Sequence, residues 1–210
     1  MLHHFPNGII EEIKKGLPGE SSHKKMSPLN RPLTSYVLNT DIQVRESAVS
    51  IVLFPDESEI KCILIQRPEY DGSHSGQIAF PGGKKDPEDL HLEYTARRET
   101  FEEIGIPMSN GQLLGELTHV YIPVSGFLVH PYMYYHHELP TLIAHPREVA
   151  EIFSFSLNEL LDKKSFSTMT IRFPTGLIQK NIPCFVLNQK NIWGATALIL
   201  NELRDLLIRI

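Results

Sequence analysis

Two short apolar runs, Ser47–Phe54 (SAVSIVLF) and Ile60–Arg67 (IKCILIQR), separated by the turn sequence PDES, constrain the fold of this chain more than any other feature. Each has the length of a strand, so together they predict two neighbouring strands. Further strands are expected at Gln77–Phe80, Leu113–Ile122, Leu128–Tyr135, Ala150–Phe155, Thr168–Phe173 and Pro183–Leu187. A first helix is expected over about Pro6–Gly16, where Ile9, Ile10 and Ile13 fall at helical spacing. A second covers about Asp89–Ile104, with Gly105 where a left-handed cap is wanted, and the run IWGATALILNELRDLLIRI packs a last helix on the sheet. The pattern predicts an α/β fold with a mixed sheet and helices on its faces. Between the first helix and the first strand, Gly19–Arg45 is polar and broken by Pro28 and Pro32, and reads as an irregular arm. Residues 1–45 are therefore expected to form a helix and arm packed on a domain spanning 46–210.

Bulk properties exclude several classes of function. With 210 residues and 41% hydrophobic content, the chain can enclose one sizeable core. A net charge of −5 provides no positive field for nucleic acid or an anionic membrane. No apolar stretch approaches the roughly 20 residues that span a bilayer. The start, MLHHFPNGIIEEIKKG, has acidic residues and no continuous apolar core, so it does not read as a secretory signal. Cys62 and Cys184 sit far apart in apolar runs, which suggests core packing in a reducing cytoplasm. The histidines, including His3, His4, His136 and His137, show no spacing suited to a metal.

The chemistry is concentrated in PGGKKDPEDLHLEYTARRETFEEIGI, Pro81–Ile106. On a helix, Glu99, Glu102 and Glu103 stand at i, i+3 and i+4 and share one face. Each like-charged pair costs a few tenths of a kcal/mol on an exposed helix. A hard divalent cation reverses that sign, because Mg²⁺ and Mn²⁺ prefer oxygen ligands. A solvated helix face is the competing reading. Two neighbours favour the cation: Arg98 lies one turn before Glu102 and can pair with it, and Gly82 and Gly83 leave the backbone bare beside the cluster.

These residues resemble the Nudix hydrolase signature, Gx5Ex7REUxEExGU with U aliphatic. Gly83 is followed by KKDPE, Asp89 stands in the place of the glutamate, eight residues precede Arg98–Glu99, and Thr100 occupies the first U; Glu102, Glu103, Gly105 and Ile106 match. The departures are similar to the coenzyme A diphosphatase branch, which shows FPGGKxDPxD, one extra residue and TALRExxEEIG, against FPGGKKDPED and TARRETFEEIG here. Upstream, ILIQR and GQIAFPGG resemble the branch motif LLTxR[SA]x3Rx3Gx3FPGG, keeping Arg67 and Gly76 but with Pro68 for the small residue and Gly72 for the arginine. Downstream, REVAEIFSFSLNEL and IWGATA are also similar.

The resemblance implies a Nudix-type α/β/α sandwich with a catalytic loop-helix-loop, a Mg²⁺ or Mn²⁺ cofactor and a small nucleotide substrate, with homodimerisation left open. Glu99, Glu102, Glu103 and Gly83 would hold metal, and Arg98, Glu102 and Glu103 would be catalytic. Arg67, His74, Gly82 and Lys84 would meet substrate, with Lys85 a further nearby cation and Tyr70 and Trp193 possible rings for adenine. One of the helix carboxylates, Glu148 or Glu151 would take the proton from an attacking water. Coenzyme A is the expected substrate, cleaved to adenosine 3′,5′-bisphosphate and 4′-phosphopantetheine. Gly72 removes a cation for a coenzyme A phosphate, which keeps another nucleoside diphosphate, such as ADP-ribose, as the alternative; a non-catalytic nucleotide-binding regulator is a third reading.

Overall fold

The apolar runs form the centre of a large sheet. The computed structural model describes residues 5–28, 31–72, 74–139, 141–172 and 176–210. Along them run α1 (Phe5–Lys15), α2 (Glu20–Met26), α3 (Thr34–Leu38), β1 (Arg45–Asp56), β2 (Glu59–Gln66), β3 (Ile78–Ala79), β4 (Gly82–Lys84) and α4 (Leu92–Ile104). There follow β5 (Gln112–Glu116), β6 (Val120–Ile122), β7 (Phe127–Tyr135), β8 (Glu151–Ser156), α5 (Leu157–Leu161), β9 (Phe166–Arg172), β10 (Ile178–Leu187), β11 (Lys190–Trp193) and α6 (Gly194–Leu207). Among the described residues, one mixed sheet has the order β3-β2-β1-β7-β5, with β4 also paired to β1, β6 to β7 and β8 to β2. Strands β1 and β7 run parallel, and β9, β10 and β11 form a second, antiparallel sheet.

Strand β1 reads as an apolar run broken only by Ser50 from Ala48 to Phe54 because both of its faces are covered. Ile51 and Leu53, with Cys62 and Leu64 of β2, pack with Leu200 and Leu203 of α6. The alternate residues Val52, Phe54, Ile63 and Ile65 pack with Ile104 at the end of α4. The sheet thus separates α4 from α6, giving the expected α/β architecture. Cys62 and Cys184 are free thiols buried in the interior. Among the described residues, no helix is long and apolar enough to cross a membrane.

Several elements differ from the sequence expectation. The segment read as an irregular arm contains α2 and α3. Helix α2 lacks an apolar stripe, and tertiary contacts hold it instead: Met26 is fully buried, Asn201 Nδ2 donates to Ser22 O at 2.9 Å, and His23 Nε2 lies 3.0 Å from Glu202 Oε2. Glu202, buried in α6, also accepts from Gly19 N–H at 2.9 Å, Thr118 N–H at 3.1 Å and Thr118 Oγ1 at 2.6 Å. The strand expected over Leu113–Ile122 is two, β5 and β6. Pro131 sits on β7 where its partner changes from β6 to β5, and its carbonyl accepts from Leu117 N–H at 2.9 Å. The missing proline N–H therefore faces a gap in the ladder, where it costs no hydrogen bond. Strands β4 and β11 were not expected: the first is glycine-rich, and the second takes Ile192 and Trp193 from the run assigned to the last helix. Of the strand expected over Thr168–Phe173, Phe173 lies outside the described residues, as do His3 and His4.

Candidate active site

Two glycines decide how close the helix carboxylates come to the sheet. Gly82 and Gly83 on β4 pair with Val49 and Ala48 of β1. At Gly82 (φ +148°) a Cβ would lie 2.3 Å from Ala48 O, so only glycine lets this backbone pass. At Gly83 a Cβ would lie 2.3 Å from Glu99 Oε2; its absence leaves the space that this carboxylate fills. The Gly82 N–H donates to Glu103 Oε2 at 2.7 Å.

Helix α4 is fixed at both ends and along its buried side. The His91 side chain accepts from Tyr94 N–H at 3.1 Å, and Gly105 (φ 77°) caps the other end by donating to Phe101 O at 2.9 Å. Thr100, at the position where the family signature has an aliphatic residue, is buried and donates to Ser50 Oγ of β1 at 2.7 Å, which accounts for the departure. The helix starts at Leu92 rather than Asp89. Asp89 serves instead as an anchor, receiving Arg98 Nε and Nη2 at 2.9 Å each, Thr95 Oγ1 at 2.8 Å and Asp86 N–H at 3.0 Å. The bonded Arg98 guanidinium holds the Asp89 carboxyl well below the usual carboxylate range. Arg98 Nη1 reaches Glu99 Oε1 at 2.9 Å and Glu102 Oε2 at 3.1 Å, and Nη2 donates to Lys84 O at 3.1 Å. Arg98 is thus the hub that orients the helix carboxylates.

Glu99, Glu103, Gly82 and Gly83 line an open cleft of about 260 Å³, with Arg67 and Glu148 on its walls. Arg147 and Tyr70 complete its rim. Glu103 is only 3% exposed, and burial pushes it up to about 8 against the opposing Gly82 N–H and the nearby Arg67. Burial also raises Glu99, while Arg98 works in the other direction. Two buried or half-buried carboxylates facing one cleft are uncomfortable as anions unless a cation joins them. The donor set is oxygen throughout, and Mg²⁺ takes one or two carboxylates while keeping water and phosphate oxygens at its other positions. The residues therefore fit a hard divalent ion. Among the described residues, however, Glu99, Glu102 and Glu103 do not bring one oxygen each within 4.8 Å of one another.

The sequence-selected residues divide between the cleft and its surroundings. Arg67, Gly82, Gly83, Glu99, Glu103, Glu148 and Tyr70 line the cleft. Glu102 is on the exposed side of α4, turned toward Arg98. Lys84 contributes its carbonyl to Arg98, and its side chain points to solvent, as does that of Lys85 less fully. His74 contacts Gln77 Oε1 at 3.0 Å, Glu151 pairs with Lys190 at 2.8 Å, and Trp193 caps α6; none of the three lines the cleft. Sequence reading gave no role to Asp89 or Arg147. Arg147 lies in the quoted REVAE segment, and it reaches the cleft because the preceding loop is tied to the end of α4 by Ile143 N–H to Ile104 O at 2.9 Å and His145 N–H to Glu103 O at 2.8 Å.

Comparison with known proteins gives the relatives of this chain and the structures that share its fold. The NUDIX domain model matches residues 44–171. The uncharacterized Nudix hydrolase NudL of Photorhabdus laumondii subsp. laumondii is 36% identical over 144 residues, covering 67% of this chain and 74% of the relative. Its namesake in Yersinia enterocolitica is 35% identical over 141 residues, covering 67% and 71%. Among solved structures, the M. smegmatis Nudix hydrolase RenU is similar at a TM-score of 0.56 and 16% identity, covering 79% of this chain and 87% of that one. The MutT protein from Methanosarcina mazei Go1 gives 0.52 and 18%, covering 82% and 100%.

Proposed function

The chain belongs to the Nudix hydrolase family, and from that premise we propose that it hydrolyses the diphosphate linkage of coenzyme A or its derivatives. The observation that carries the proposal is the cleft in which Glu99, Glu103 and Glu148 face Arg67 and Arg147. A diphosphate diester resists attack because its anionic oxygens repel a nucleophile, so a catalyst must supply cations on one side and a proton acceptor on the other. Arg67 and Arg147 bind phosphate oxygens through charge-assisted hydrogen bonds. Arg147 gives the cleft a second cation beside Arg67.

Glu99 and Glu103 would hold Mg²⁺ or Mn²⁺, with Glu102 reached from the rim. Such an ion, when bound, neutralises diphosphate charge and activates water for attack. Arg98 and the Gly82 N–H keep Glu99 and Glu103 in place and act as positioning groups. Glu148, which lines the cleft, accepts the proton of the attacking water; Glu151 pairs with Lys190 and does not line the cleft. Tyr70, 46% exposed at the rim, offers a face on which adenine can stack.

The test is to incubate the purified protein with Mg²⁺ or Mn²⁺ and coenzyme A, acyl-coenzyme A, ADP-ribose, dinucleotides and nucleoside triphosphates, then resolve the products. Release of adenosine 3′,5′-bisphosphate and 4′-phosphopantetheine is expected. Preference for ADP-ribose, the reading favoured by Gly72, would overturn the substrate and leave the chemistry; tight binding without hydrolysis of any compound would overturn the catalytic reading.

A further inference from the structure

Away from the carboxylate cleft, the gap between β5 and β6 gathers a different donor set. Glu116 ends β5, His119 lies in the connection to β6, and His130 faces both from β7. His130 Nδ1 lies 3.0 Å and His119 Nε2 2.9 Å from one oxygen, Glu116 Oε1, with the ring centroids 3.8 Å apart. One donor atom from each residue lies within 4.8 Å of the others, an arrangement that no other such trio of histidine, cysteine or acidic residues matches among the described residues. On its far side, His130 Nε2 is 2.7 Å from Glu46 Oε2 but out of alignment, so both atoms are buried without a hydrogen bond. His130 is only 8% exposed.

The protein groups alone satisfy this cluster poorly. A neutral imidazole has one N–H, so His130 between two carboxylates leaves one ring lone pair facing an anion. Protonating His130 alone supplies an N–H on each side, but it buries a charged ring against that of His119, and its Nε2 still lies out of alignment with Glu46. A cation removes both conflicts: each ring stays neutral and directs a lone pair at the ion, and His130 keeps its Nε2 proton for Glu46. That is the carboxylate–histidine–metal arrangement in which an outer carboxylate fixes the tautomer of a ligating histidine.

We propose that Glu116, His119 and His130 form a binding site for a divalent transition-metal ion of the zinc class, with Glu46 behind His130. Two imidazoles and a carboxylate suit zinc better than Mg²⁺, which favours oxygen. Bonds of about 2.0–2.1 Å place tetrahedral donors roughly 3.3 Å apart, so a small opening of the present contacts admits the ion. Glu116 and His119 keep 36% and 37% of their side chains exposed, which gives the ion an entry path and a position for water. The site is separate from the cleft: His130 pairs with Ala48, which pairs with Gly83, so two strand spacings, roughly 10 Å, intervene. Its effect is to clamp β5 and its outgoing connection to β7.

Metal-stripped full-length protein, with Mg²⁺ in excess, is titrated with Zn²⁺ by calorimetry and with Co²⁺ by visible absorption. The expected result is one Zn²⁺ equivalent that survives Glu102→Gln, an intense band of four-coordinate, nitrogen-ligated Co²⁺, and a thermal midpoint raised by Zn²⁺. His119→Ala, a change in a half-exposed connection, should weaken that equivalent at least tenfold and abolish the rise. Absence of Zn²⁺ binding, equal binding by His119→Ala, or loss of the equivalent in Glu102→Gln would each overturn the proposal. Should His119→Ala not fold, the wild-type Co²⁺ spectrum decides, and an oxygen-only, six-coordinate band overturns it.

Discussion

Gly83→Ala isolates the positioning of Glu99 from the stability of the fold. The new methyl would sit 2.3 Å from Glu99 Oε2 and 2.4 Å from its Cδ, whereas ordinary contact begins at 3.4 Å, so the carboxylate must retreat by about 1 Å. The obstructing atoms are the far end of a flexible side chain, and Gly83 lies outside the left-handed region, so the backbone accepts alanine. Displacing a catalytic group by 1 Å costs about 10²-fold in rate, or about 2.7 kcal/mol of transition-state stabilisation. The expected outcome is kcat/KM on the best substrate of the panel lowered about 10²-fold, weaker Mg²⁺ binding, and a thermal midpoint within a few degrees of wild type. Gly82→Ala is the contrasting control, because its clash is with the β1 backbone and should impair folding itself. Wild-type turnover and Mg²⁺ affinity in a folded Gly83→Ala protein would refute the assignment of Glu99.

Glu103→Gln should reduce turnover by orders of magnitude in a steady-state assay while leaving the metal-free protein at least as stable, since the amide removes a buried carboxylate that burial already disfavours as an anion. Asp89→Asn, which removes the most buried of the anionic partners of Arg98 and leaves Glu99 and Glu102, should cost about 1.5–3 kcal/mol in urea denaturation. Because the folded Asp89 lies below its unfolded value, its contribution is fully present above about pH 4 and is lost as pH falls through the folded value; the acid-unfolding curve of Asp89→Asn should lack that loss. Glu202→Ala should strand the Gly19 and Thr118 donors at about 1–3 kcal/mol each and make residues 17–27 sensitive to limited proteolysis; resistance equal to wild type would show that the arm is held by other contacts.

The parts legible in the sequence are those governed by local rules. Strand β1 could be found because seven consecutive inward and outward residues, Ala48–Phe54, all meet protein, which produces an apolar run interrupted only by Ser50; α4 could be found from its charged face and from Gly105. The arm was misread because α2 has no apolar stripe and owes its helix to Asn201 and Glu202, some 180 positions away. Strand β4 was missed because two glycines argue for a loop, whereas here β1 passes too closely for a side chain at Gly82 and the Glu99 carboxylate fills the space at Gly83. Glu102 was grouped with Glu99 and Glu103 by helical spacing, but that spacing says nothing of which way a flexible side chain turns once Arg98 is near.

The amino-acid order alone carried the family signature: a helix bearing Glu99, Glu102 and Glu103 after a glycine pair depends on spacing within 25 residues, and spacing is written in the chain. Tertiary structure alone decided which groups share a cleft with that helix and which do not. Arg147 joins Arg67, Asp89 grips Arg98, and Glu116 meets His119 and His130, because sheet pairing and loop anchoring bring distant residues within hydrogen-bond range, and no local periodicity encodes those distances.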